Sequence, residues 1–122
     1  MTTAVAARPA LLPGRVGAVL ALASAGVHLT MLDAGSLGSL VMATLALACL
    51  LCARHLGRSP TARVWRWVAL ADVTMLVVHV QLSAGGGPMA GMHHGGTPMW
   101  LPLALVAAQL TLAATTLVRR PA

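Results

Sequence analysis

Side chains able to hold a soft metal are numerous in this chain and unevenly placed: seven methionines and five histidines occur in 122 residues. Between positions 85 and 100 the sequence reads GGGPMAGMHHGGTPMW, which sets Met89, Met92, His93 and His94 among glycines and prolines. More ligand types lie inside apolar runs: His28 and Met31, then Met42, then Met75 and His79. Thioether and imidazole together suit copper, methionine favouring Cu(I), whereas zinc sites more often recruit cysteine and carboxylate. The expectation is an outer copper cluster drawn from His28, Met31, Met42, Met75, His79, Met89, Met92, His93 and His94, with the glycine-rich segment as a lid over His28 and His79. Methionine also fills gaps in any apolar bundle, and glycine with proline is ordinary loop chemistry. What carries the expectation is the one-sidedness of the set: apart from the initiator, every methionine falls between the middle of an apolar run and the same end of it, or in the 85–100 segment.

A second group is Cys49, Cys52 and His55, at successive i+3 steps of CLLCARH. Three soft ligands on one helix stripe suit an inner Cu(I) or redox site in a reducing compartment. The plainer reading is two small apolar packers followed by an interfacial histidine. The spacing is not Cys-x-x-Cys-His, so c-type haem attachment is excluded.

Asp72 is the third feature, a carboxylate in the middle of an apolar run. Ionisable groups at the bilayer centre cost about 2.5 to 3.5 kcal/mol on insertion scales. Counting about 1.5 Å per residue along a helix, Asp72 comes at the depth of Ser24, Thr44 and Gln109 from the other apolar runs, and His28 and His79 come at one shallower depth. A polar layer is expected there. Asp72 in it either is neutral or hydrogen-bonds Gln109 and merely sets helix register, or serves a proton or ion.

These residues need elements to hold them. With 58% hydrophobic and 8% charged residues, against about 25% charged in soluble domains, the chain reads as an integral membrane protein. No Ile, Asn, Lys, Phe or Tyr occurs, all residues of AT-rich codons, so codon bias explains their absence. It does not explain seven methionines. Apolar stretches cover 16–32, 37–53, 64–82 and 99–118, each close to the roughly 17 to 25 residues a membrane-spanning helix needs. The fold class expected is all-α, one membrane domain over residues 1–122. Its four transmembrane helices would form an up-down-up-down bundle, because the connections are short, with an outer Met/His/Gly loop at 83–98.

The net charge of +6 comes from arginine set against Asp33 and Asp72. Without aromatic interleaving it does not suggest nucleic acid. Arg8, Arg15, Arg54, Arg58, Arg63, Arg66, Arg119 and Arg120 instead all fall on one side of the proposed spans, and the positive-inside rule makes that side cytoplasmic. Both termini are then inside the cell membrane and the GMHH segment outside. Trp65 and Trp67 fit an inner interfacial belt and Trp100 an outer one, while Pro60 and Pro98 precede helices they could help to start. Ala23-Ser24-Ala25 has the look of a signal-peptide cleavage site, but the apolar run continues through VHLTML, which favours a retained first span.

No glutamate, nucleophile elbow, phosphate-cradling loop or dinucleotide fingerprint is present, so an enzyme is not expected. The leading expectation is a small polytopic protein that binds or moves copper from the outer side. An accessory subunit of a larger membrane complex, or a homo-oligomer, is the alternative of a different class. Small residues such as Gly26, Ala43 and Ala107 would permit close helix contact with such partners. A b-type haem held by His28 and His79 is a third reading.

Overall fold

The structure is a computed structural model that describes residues 8–32, 37–84 and 100–119. All of its elements are helices: α1 (Arg8–Thr30), α2 (Leu37–Arg58), α3 (Ala62–Ala84) and α4 (Trp100–Val118). Each expected apolar stretch is contained in one helix or shifted by a few residues, α2 running five residues past the expected end. Three of them, over Leu12–Thr30, Gly38–Arg58 and Trp100–Val118, are long and apolar enough to cross a membrane. The third helix has the length, at 23 residues, but Arg63, Arg66, Asp72, His79 and Gln81 dilute its apolar character.

Local chemistry accounts for the helix ends. At the close of α1 the Met31 amide donates to the His28 carbonyl and the Leu32 amide to that of Leu29, the tighter i+3 pattern that satisfies terminal carbonyls. Between α2 and α3 the Ser59 amide donates to the His55 carbonyl at 2.9 Å. Pro60 does not itself open α3, as expected from sequence. Thr61 caps it, its hydroxyl oxygen accepting from the Val64 amide at 3.3 Å, and the first helical residue is Ala62. Pro102 is tolerated in α4 because it falls in the first turn, where the amide has no helical partner in any case.

Around the bundle α1 lies against α2 and α4, and α3 against α4 and, over the smallest area, α2. That leaves α1 and α3 on one diagonal and α2 and α4 on the other. The interior is layered. One apolar layer takes a residue from each helix, Ala25, Cys49, Met75 and Val106; a second gathers Leu56, Trp65, Val68 and Ala113. Between them Asp72 and Gln109 are buried, with Ser24 beside the first layer. Outward, leucines and valines of every helix are exposed.

Two glycines set the close approach of α1. A Cβ on Gly14 would lie 2.7 Å from Pro60 Cβ and 2.8 Å from the Leu56 carbonyl oxygen; one on Gly17 would lie 2.8 Å from Trp65 Cη2. Trp65 can therefore push fully into the bundle, at 0% exposure, which corrects its assignment to an interfacial belt. Trp67, at 62%, faces outward as an interfacial residue should. Gly26, Ala43 and Ala107 are all exposed, so none of them shapes the interior.

Candidate functional site

The histidines of α1 and α3 meet. Although α1 and α3 are diagonal, the rings of His28 and His79 approach edge to face across the centre of the bundle, centroids 5.8 Å apart and planes at 73°. Each is oriented by its own helix. The Nδ1–H of His28 donates to the Ser24 carbonyl at 2.7 Å, and that of His79 to the Met75 carbonyl at 2.8 Å. A carbonyl only accepts, so each ring carries a proton on Nδ1, and in the neutral form of either ring the free lone pair is the one on Nε2. His28 is 2% exposed, and its Nε2 is buried without a hydrogen-bond partner among the described residues. A buried polar atom left unpaired costs about 1 to 3 kcal/mol and calls for an explanation.

Beside the pair lies a small cavity walled by Ser24 and His28 of α1, Met75 and His79 of α3, and Pro102 and Val106 of α4. Its volume of about 10 Å³ is at the lower limit for a single water. A sphere of atomic size fits there; an organic ligand does not. Two imidazoles sharing one metal, each nitrogen about 2.0 to 2.1 Å from it, have centroids roughly 6 Å apart, close to the spacing the rings already have.

The other expected ligands are distributed as follows. Met75 joins the two histidines in the cavity wall. Met42 is buried at 2% but on α2, which contributes nothing to that wall, and Met31 is half-buried near the end of α1. Met89, Met92, His93 and His94 lie outside the described residues. Among the described residues no three His, Cys, Asp or Glu side chains converge as a metal-holding group. Cys49 is buried in the upper apolar layer, Cys52 packs half-buried against the lower one, and His55 is exposed. Both cysteines are free thiols. The i+3 steps of that stripe drift about 60° per step around a helix of 3.6 residues per turn, which carries His55 from the interior to the surface.

At the polar layer Ser24, Asp72 and Gln109 are buried as expected, at 6%, 6% and 3%. Thr44 is not among them: it is exposed, and its hydroxyl donates to the Leu40 carbonyl of its own helix. Nor does Gln109 satisfy Asp72 as the register-setting reading requires, since Asp72 Oδ2 is buried with no partner among the described residues. The sequence count of residues from the helix ends found both depths. It had no means of finding the Nδ1 bonds, although His at i+4 from a helical carbonyl is the spacing that permits them. Compared with known protein families, curated proteins and solved structures, the chain matches none.

Proposed function

We propose that this is a small four-span membrane protein that binds copper as Cu(I) from the outer side of the cell membrane, with His28 and His79 as the ligands its bundle supplies. The observation that carries the reading is the pair itself: two imidazoles, each oriented by an Nδ1–H bond to a backbone carbonyl, with a buried Nε2 on His28 that has no partner among the described residues. Metal-ligating histidines characteristically donate their other N–H in this way, which fixes tautomer and orientation before the metal arrives. A cavity of atomic size beside a thioether wall and without a carboxylate suits a soft monovalent ion. Met92, His93 and His94 complete the site from outside. Holding copper, sensing it or passing it inward are all served by such a site.

Up-down-up-down threading with both termini cytoplasmic is part of the proposal. The layer pairings support it: Ala25 goes with Cys49, Met75 and Val106, while Ala18 goes with Leu56, Val68 and Ala113, so numbering falls along α1 and α3 as it rises along α2 and α4. The arginine distribution supplies the side. The accessory-subunit alternative gains one observation, the outward exposure of Gly26, Ala43 and Ala107. A haem is less well supported, because a porphyrin must pass between rings that already meet edge to face.

Competition against a chromophoric Cu(I) chelator in mild detergent tests the copper reading. The intact chain is expected to take one equivalent. His93→Ala with His94→Ala should weaken binding by roughly ten- to a hundredfold, about 1.4 kcal/mol per tenfold. His28→Ala with His79→Ala should remove the site. Retention of copper by the second variant and its loss from the first would overturn the buried site.

A further inference from the structure

We infer that Asp72 is a proton-binding site at the middle of the bundle. Asp72 is 6% exposed, its Oδ2 is buried without a partner, and no cation reaches it among the described residues. Ionised in this place it would be an uncompensated buried charge, an arrangement proteins avoid. With a proton it is a neutral acid that can donate as well as accept, and the surroundings are otherwise in order.

The groups that face it decide what its ligand is. From α2 the titratable groups of the interior are the thiols of Cys49, buried, and Cys52, half-buried, and neither is a cation. From α4 comes Gln109, which is uncharged, and α4 contains no titratable residue at all. The diagonal helix α1 brings His28 at the cavity level, and on α3 itself His79 is nearly two turns away while Arg66 is exposed. A sodium or calcium ion needs a shell of about six or more oxygens. Here the hydroxyls that might supply them are occupied elsewhere: Thr44, Thr74 and Thr111 each donate to the carbonyl four residues back and are exposed. One carboxyl, one amide and the hydroxyl of Ser24 fall short of such a shell. A proton needs only the orphaned oxygen.

Met75 and Val106, three residues above Asp72 and Gln109 and about 4.5 Å higher along their helices, belong to the cavity wall and to the apolar layer, so that layer lies between the carboxyl and the cavity. The inference rests on the surroundings of Asp72 and not on copper binding.

The chain has two side-chain carboxyls, Asp33 and Asp72, and Asp33→Ser leaves Asp72 alone. Aspartate carrying carbon-13 at its side-chain carboxyl, incorporated into that variant and read by NMR in lipid nanodiscs at neutral pH, is expected to show one resonance at the carboxylic-acid position. The unmodified chain should show two, one acid and one carboxylate, which guards against a folding defect in the variant. Carboxylate resonances alone, in either chain, would overturn the inference. A resonance that moves with sodium concentration rather than with pH would overturn it as well, in favour of a metal cation.

Discussion

A histidine whose Nδ1–H is tied to its own helix has one nitrogen left to act, and in His28 that nitrogen is buried with nothing to bond. Such an atom lowers the stability of the metal-free protein, so it has a stability signature. His28→Leu should abolish copper binding yet leave the metal-free bundle as stable as the parent, or more so by up to about 1 kcal/mol, because removing an unsatisfied buried group is neutral or favourable. Denaturant titration followed by circular dichroism measures the stability and chelator competition the binding. A large destabilisation would mean that His28 serves packing first. Trp65 gives the contrasting case. It is wholly buried with an unpartnered Nε1, so its contribution is volume. Trp65→Ala should cost roughly 3 to 5 kcal/mol, whereas Trp65→Phe, which keeps an aromatic ring and loses no hydrogen bond, should cost well under half of that.

At the scale of elements, small residues with the same composition value have opposite structural weight. Gly17→Ala places a Cβ 2.8 Å from Trp65 Cη2 and 3.1 Å from Leu56 Cδ1, and is expected to destabilise by about 1 to 3 kcal/mol through overpacking. Gly26→Ala meets nothing within 4 Å and should stabilise by up to about 1 kcal/mol, the helix-propensity gain of alanine over glycine. Thermal unfolding of the two variants side by side separates them, and equal behaviour would show that α1 does not pack on Trp65 as described. Thr61→Ala removes the cap of α3 and should cost about 1 kcal/mol. The four helices were legible in the sequence because each covers a long, mostly apolar run bounded by breaks, and three of them are long and apolar enough to cross a membrane. Which glycines face the interior was not, since α1 is apolar on nearly every side and its pattern carries no facing information.

For the whole molecule the testable property is orientation. With Cys49 and Cys52 replaced by alanine, single cysteines introduced at Gly35 and Gly91 should react with an impermeant thiol reagent in intact cells, and one at Ser59 only after lysis. Labelling at Ser59 without lysis would reverse the topology and place the Met/His set in the cytoplasm. The arginines alone define this prediction, since they act on insertion as the chain is threaded and need no knowledge of how the helices later pack.

By itself the sequence determined the helices, their apolar character, the common depth of His28 and His79 and the depth of Asp72, because each follows from counting along a helix of known rise. It also pointed to soft ligands, through residue type. Tertiary structure decided which of these meet. His28 and His79 sit on diagonal helices, yet their rings approach with centroids 5.8 Å apart. Thr44 and His55, at favourable depths, face outward. Asp72 is inside but without its expected amide partner. The physical reason is rotational: depth along a helix accumulates in one direction and can be counted, whereas the face a residue presents depends on how each apolar helix turns about its own axis. That angle is set by packing against the other three.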